Sequence, residues 1–363
     1  MLDNSTNQVI RNLFDIVSNI QILPNFSIQH PHYQPFSLPV TVANRFQQNS
    51  QDLQRKYLTL LLRNFVHGIY YSGSLQQVLS INSSAKKYIP QRSLEANYHL
   101  GIDWDFYEQL HQHNHGHGHY ESHWQVLRIE PDHSIAVKKN DLTLYIEPEC
   151  YLKNRHKSLQ VGNLIDVWMP KNRLQNGYYV AVSNLREEQQ FESDTNEGID
   201  RIYFNINSQG AIAIMNTLTK KLNQCQISFS FQVLYNPGNY GRYDAGILEF
   251  TRDKYAIVHE IIQTVYEQHQ SYFAPEIPLF TKFLAPGLSL AEEPNQKFNT
   301  QESFGMNRCQ IVANALLEAW EKGKNAIEER MRIIDHHFAQ HLIDMERPYL
   351  NPSSEDIYIP LNC

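Results

Sequence analysis

The chain has 363 residues, 42% of them hydrophobic and 12% aromatic, with only 15 glycines and 16 prolines. That is enough apolar surface for a sizeable core and excludes a disordered, collagen-like or low-complexity chain. The 31 basic and 38 acidic residues give a formal net charge of −7, which disfavours a general nucleic-acid binder because no basic excess neutralises a phosphate backbone.

The first residues, Met1 to Ser5, lack the positive and apolar regions of an export signal. No stretch approaches the roughly eighteen apolar residues of a membrane span, so a cytoplasmic protein without membrane contact is expected. Cys150, Cys225, Cys309 and Cys363 show no C-x-x-C spacing, so reduced thiols are expected rather than disulfides or a thiolate zinc site.

Residues 1 to about 95 read as an N-terminal helical region, and 96–363 as an α+β core with C-terminal helices. Val9, Ile10, Leu13, Phe14, Val17 and Ile20 recur at the helical period behind the capping residues Asp3, Asn4 and Ser5. Pro24 to Pro39 reads as extended loop. A second helix starts near Gln51, with Gly73 as its stop.

From about Trp124 the period changes to two. Runs at 123–129, 134–138, 142–146, 164–169 and 178–182 read as a five-strand antiparallel meander. The polar, acidic stretch from Leu185 to Gly198 reads as a loop. In the later run 201–206 alternation puts Ile202, Phe204 and Ile206 on one face and Arg201, Tyr203 and Asn205 on the other. In 227–233 it separates Ile227, Phe229, Phe231 and Val233 from Ser228, Ser230 and Gln232. Together these predict a mixed sheet with one polar face, a natural floor for a charged ligand. Helices are expected at about 211–222, 253–270, from Thr300 or Ser303 to Trp320, and on to about Asp344. Helices, then a meander, then mixed elements make the fold class α+β rather than doubly wound.

The run His111, His113, His115, His117 and His119 can chelate metal in isolation, but Gly116 and Gly118 predict a floppy, solvated segment, and no functional metal is expected. His337 and His341 stand four apart, as chelation or a solvated helix face would have them. His259-Glu260-Ile261-Ile262-Gln263 fails as H-E-x-x-H because Gln263 replaces the second ligand. There is no Walker loop and no G-x-G-x-x-G, so no nucleotide cofactor is expected. The more informative group is Arg201, Tyr203, Asn205, Arg242, Asp244, Glu293, Ser303 and Arg308. A helix starting at Ser303 would offer free N–H groups to an anion, and the arginines bidentate contacts. The alternative is a buried network of Arg242, Asp244, Glu293 and Arg308 that pins the fold.

The strings Arg201-Ile-Tyr-Phe-Asn205, Phe229-Ser-Phe-Gln-Val233, Tyr240-Gly-Arg-Tyr-Asp244, Gly287-Leu-Ser-Leu-Ala-Glu-Glu-Pro294 and Ser303-Phe-Gly-Met-Asn-Arg308, with Met169-Pro170-Lys171 and Gly177 to Ala181 before them, resemble the HopA (HrmA-type) type III effector family over about residues 60 to 320. That family includes effectors of plant pathogens and cytoplasmic proteins encoded beside a small kinase in class V lanthipeptide and thioviridamide-like pathways. The resemblance implies a lyase that removes phosphate from phosphoserine or phosphothreonine of a precursor peptide by β-elimination, with the peptide and a kinase as partners and no cofactor. Arg201, Arg242 and Arg308 are then expected on the phosphate, Tyr203 as acid, Asp244 orienting Arg242, and Asn205, Gln232, Glu293 and Ser303 about the substrate. Gln232 stands where the family pattern often has a lysine, a natural base, and Gln232 cannot accept a proton. Lys138 or Lys139 is the replacement expected from sequence; otherwise the chain binds phosphopeptide without turning it over.

Overall fold

The computed structural model describes residues 4–36, 41, 44, 46–81, 98–99, 101–153, 159–175, 177–185, 198–300 and 302–362. The capping residue Asp3, the proline segment at 37–40, most of the acidic loop at 185–198, the boundary near 95 and Cys363 lie outside them.

Seven helices matter here: α1 (Asn4–Asn19), α2 (Gln51–Val66), α3 (Trp104–His113), α4 (Ser208–Gln224), α5 (Tyr255–His269), α6 (Phe304–Glu321) and α7 (Ile327–Gln340). Eleven strands build two sheets. They are β1 (His119–Ile129), β2 (Ile135–Lys139), β3 (Leu142–Ile146), β4 (Leu164–Met169), β5 (Asn172–Gln175), β6 (Tyr178–Val182), β7 (Ile199–Phe204), β8 (Phe229–Leu234), β9 (Gly246–Thr251), β10 (Lys282–Ala285) and β11 (Leu288–Glu292). The architecture is α+β, with helices towards both ends of the chain.

The expected meander divides. Its first four runs form a sheet of order β3-β2-β1-β4 around a small core of Trp124, Val126, Val137 and Val167. The fifth, β6, joins a larger sheet of order β5-β6-β8-β9-β7-β11-β10. Every described pairing in that larger sheet is antiparallel, so the sheet expected as mixed is antiparallel among these residues. β1 begins at His119, earlier than alternation suggested, because a bulge near His123 (φ 67°) interrupts the period of two.

The apolar face of the large sheet, including Ile202, Phe204, Phe231 and Leu248, shares one core with α4 and α5 residues such as Leu218 and Val258. The same core takes in Leu13 of α1, Phe65 of α2 and Leu316 of α6. A further local difference has a simple cause. Residues 21–22, 28–30 and 33–36 pair as a small antiparallel sheet where loop was expected, since prolines sit in short edge strands without breaking a ladder. The two C-terminal helices stand as expected, α6 being ended at Gly323, whose φ is +66°, and the charged α7 stopping at Gln340.

The histidine run is ordered rather than floppy. Asn114, buried, donates to the Lys171 carbonyl (2.9 Å) and the Tyr179 hydroxyl (3.1 Å), while Lys171 Nζ donates to the carbonyls of His111 (2.8 Å) and Asn114 (2.9 Å) at the end of α3. Gly118 (φ +76°) permits a backbone approach in which a Cβ would lie 2.3 Å from the Met169 carbonyl. The glycines serve packing here, and no group of three His, Cys, Asp or Glu in metal-holding geometry occurs among the described residues. His337 instead meets Glu318 at 2.7 Å. No described helix is long and apolar enough to cross a membrane.

Candidate functional site

Strand register assembles a polar floor on the second face of the large sheet. Arg201 lies opposite Glu249, Ser230 opposite Glu249, and Gln232 and Tyr203 both opposite Ile247. Thus β7 and β8, expected in one sheet, are joined in it through β9. Arg201 bridges Glu249 (2.8 Å) and Glu293 (3.0 Å), Glu293 also pairs with Lys297, and Gln232 donates to Glu249 Oε1 (3.2 Å). Burial opposes the charge of Arg201, but Glu249, Tyr203 and Glu293 outweigh it and hold the guanidinium above its ordinary pKa.

A roof covers part of this floor. α2 does not stop cleanly but widens into a π-helical turn, His67–Tyr71, of the kind that often marks functional sites. The Tyr71 ring sits edge-on to that of Tyr203 (6.2 Å) and near Phe304 of α6 (6.4 Å), while His67 stacks on Tyr71 at 4.9 Å. Two glycines admit this packing. A Cβ on Gly305 would lie 2.3 Å from the Tyr71 ring, and one on Gly73 (φ +69°) 2.8 Å from the Tyr243 ring. The turn after β8 is then fastened to the π turn by Tyr243 N–H donating to the Ser72 carbonyl (2.9 Å). This brings Arg242 and Asp244 to the floor, where Asp244 holds Arg242 by two hydrogen bonds of 2.5 and 2.8 Å.

Asp244 is the electrostatic hub. It acts on His67, Tyr71, Tyr178, Tyr203 and Arg242. Burial lowers His67 to about 4 despite Asp244, with Arg242 and Arg63 adding to the fall, so the imidazole is neutral at pH 7. Burial raises Tyr178 to about 12, aided by Asp244 and opposed by Arg242. Tyr203 is also raised to about 12 by burial, against Arg201 and Tyr71. Its hydroxyl, fully buried beside that of Tyr71, makes no hydrogen bond of good geometry.

Other expected residues lie elsewhere or are committed. Arg308 is 1% exposed, and its guanidinium donates to the carbonyls of Pro348 (2.8 Å) and Leu350 (3.1 Å) and to Asn307 (2.6 Å). It pins the chain after α7, and burial lowers it to about 10. Ser303 caps α6 by accepting from Met306 N–H (3.4 Å), and the first turn is buried under Tyr71, so the helix start does not present free donors to an anion. Asn205 ties the end of β7 to the Glu276 carbonyl (2.9 Å). Lys138 and Lys139 lie on β2 of the other sheet, Lys138 exposed and Lys139 paired with Glu121 at 2.6 Å. Sequence reasoning missed His67, Tyr71, Tyr178 and Glu249. The H-G-I-Y-Y run at the end of an amphipathic helix was the one signal for the first two.

The model of the HopA1 effector protein family matches residues 169–350, half of the chain. The chain belongs to this family. The match starts at Met169, takes in the whole large sheet with Arg201, Tyr203, Arg242 and Asp244, and leaves His67 and Tyr71 outside. Two solved effector-protein structures are similar over part of the chain. The effector protein from Pseudomonas syringae pv. tomato strain DC3000 is 15% identical with a TM-score of 0.37. That from Pseudomonas syringae pv. syringae strain 61 is 17% identical with a TM-score of 0.34. Each similarity covers 48% of this chain and 63% of the other, so the chain spans less than two thirds of their length. No curated protein matches the chain.

Proposed function

We propose that this HopA1-family chain removes phosphate from a phosphorylated serine or threonine of a peptide by β-elimination, leaving dehydroalanine or dehydrobutyrine. The supporting observation is the meeting around Asp244 of a fixed guanidinium, Arg242, an imidazole neutral at pH 7, His67, and the protonated phenols of Tyr71, Tyr178 and Tyr203. Elimination needs these three chemistries: a proton acceptor, a cation for the leaving phosphate and an acid beside the departing oxygen. His67 takes the Cα proton, the electron pair forms Cα=Cβ, and the Cβ–O bond breaks as phosphate leaves towards Arg242. A hydroxyl of Tyr203 or Tyr71 hydrogen-bonds the departing oxygen, and His67 passes its proton to phosphate or water. Gln232 and Ser230 orient the peptide, while Arg201, held by two carboxylates, organises the floor. A separate kinase supplies the phosphoresidue, and a ribosomally made precursor peptide is the expected substrate.

Charge balance favours a second reading, a phosphopeptide-binding or protein-interaction module without turnover. Arg201 and Lys297 face Glu249 and Glu293, and Arg242 faces Asp244, so the floor carries no net positive charge. Incubation with a kinase-treated Ser/Thr-rich precursor peptide, read by mass spectrometry, separates the two. Loss of the elements of phosphoric acid supports the lyase. Tight binding of an unchanged phosphopeptide over long incubation selects the module.

A further inference from the structure

Behind the turn that carries Arg242 lies a second polar site. Tyr243 lines a cavity of about 310 Å³ with Asp15 of α1, His30 and Tyr33 of the small sheet, Tyr70 of the π turn, Gln76 and Glu276. That volume is at the small end of the range for ligand pockets and accommodates one long side chain.

A hydrogen-bonded chain fixes one wall. The backbone N–H of His32 donates to Nδ1 of His30 (3.2 Å), which leaves Nε2 to carry the ring proton and donate to the Tyr70 hydroxyl (3.0 Å). That hydroxyl donates to Oδ2 of Asp15 (2.7 Å), and Asn19 donates to Oδ1 (2.7 Å). Each oxygen of Asp15 thus accepts one bond from the protein and keeps acceptor capacity for a ligand. His30 is 3% exposed, and burial lowers its pKa against the pull of Asp15, with His32 adding to the fall, so it brings no positive charge at pH 7.

The rest of the wall is aromatic and amide. Tyr33 lies within electrostatic reach of both Tyr243 and Asp15, and Tyr243 donates to Gln76 Oε1 (3.1 Å). Two carboxylates, Asp15 and Glu276, line the cavity, and no lysine or arginine does so among the described residues. The fixed Asp15 carboxylate, with Glu276 and the tyrosines of the lining, matches an organic cation, which gains charge-assisted hydrogen bonds and ring attraction together. An anion meets repulsion there, and an apolar group leaves the acceptors unpaired.

We propose that this cavity binds the guanidinium or ammonium end of an arginine or lysine side chain presented by a peptide. The site is independent of the phosphate reading, since none of its recognising groups belongs to the floor and its test uses no phosphate.

The test titrates the full chain at pH 7 with blocked arginine (acetyl-arginine amide), its neutral isostere acetyl-citrulline amide, and agmatine, read by NMR or calorimetry. Blocked arginine is expected to bind at least tenfold more tightly than the citrulline compound. Asp15→Asn, which keeps an acceptor for Tyr70, and Glu276→Gln, at an exposed position, should each weaken it at least threefold with an unchanged melting temperature. Binding of agmatine but not of blocked arginine overturns the peptide assignment in favour of a free amine. Equal binding of the citrulline compound, no binding of either cation, or affinity unchanged in both variants overturns the site itself.

Discussion

The carboxylate of Asp244 grips the guanidinium of Arg242, two residues away, through both Nε and a terminal nitrogen. A planar fork engaged on one edge has its remaining donors free to point elsewhere, so Asp244 aims Arg242 as well as neutralising it. This distinguishes Arg242 from Arg308, whose donors are taken up by backbone carbonyls and Asn307.

Arg→Lys changes at the two positions should therefore have opposite signatures. Arg242→Lys loses the fork and should weaken phosphopeptide binding by roughly 1.5–3 kcal/mol, the scale of a charged hydrogen bond, with little effect on the unphosphorylated peptide or the melting temperature. Arg308→Lys leaves buried carbonyls unsatisfied at about 1–3 kcal/mol each, so the melting temperature should fall and both peptides lose affinity alike. Calorimetric titrations and thermal melts of both variants decide it; the same signature for both would remove Arg242 from the site.

His67 governs the acid limb of the pH profile. With its pKa at about 4 and Tyr203 at about 12, elimination should be flat through neutral pH and decline only as pH falls towards 4. His67→Gln should lower kcat by about 10²–10⁴-fold, the usual share of a general base, with KM nearly unchanged. A wild-type rate that drops around pH 6.5 would contradict the assignment.

Gly305→Ala tests the roof. The added methyl collides with the Tyr71 ring, and overpacking of this kind costs about 1–3 kcal/mol. Denaturant melts should show that loss, and phosphopeptide affinity should fall with it as Tyr71 is displaced from Tyr203. Tyr71→Leu in the same background should restore stability without restoring binding.

Asp200 makes stability depend on pH in an unusual direction. It is fully buried, accepts from Tyr358 (2.7 Å), and stands opposite Glu292 on β11. Burial raises it to about 7, with Glu292 adding to the rise and Tyr358 and Arg252 opposing it. The folded state then holds a proton that the unfolded chain loses near pH 4, so stability is greatest below that and falls as pH rises to about 7. For one proton the slope is at most about 1.4 kcal/mol per pH unit. Asp200→Asn, which keeps an acceptor for Tyr358, should flatten the slope in denaturant titrations from pH 4 to 8. A slope unchanged in the variant would assign the linkage to another group.

Periodicity alone determined much of this protein. Alternation in 201–206 and 227–233 determined which side chains of β7 and β8 share a face, because a strand has a period of two whatever its partners, but it did not determine burial: Tyr203 and Asn205, on the face expected to be polar, are 2% and 3% exposed. Helical spacing and the Ser303 cap located α6, since capping is a local contest between one side chain and the first free N–H groups. The ordered strings from Met169 to Arg308 carried the family resemblance for the same reason, being local.

Tertiary structure decided what those local patterns do together. β9 enters between β7 and β8 and supplies Glu249, which saturates Arg201; no pattern within either strand contains that pairing. The π turn brings His67 and Tyr71 over Tyr203 from more than a hundred residues away, and a histidine at the end of a helix looks the same in sequence whether solvated or buried. Arg308 was legible as a cation near a helix start, but its direction depends on the chain at Pro348 and Leu350. Lys138 was legible as a lysine on a strand, and only the division of the meander into two sheets placed it away from the floor. Residue type and period are local properties, whereas strand order, burial and the partner of each charge come from contacts distant in sequence, and those decide which charges are left for a ligand.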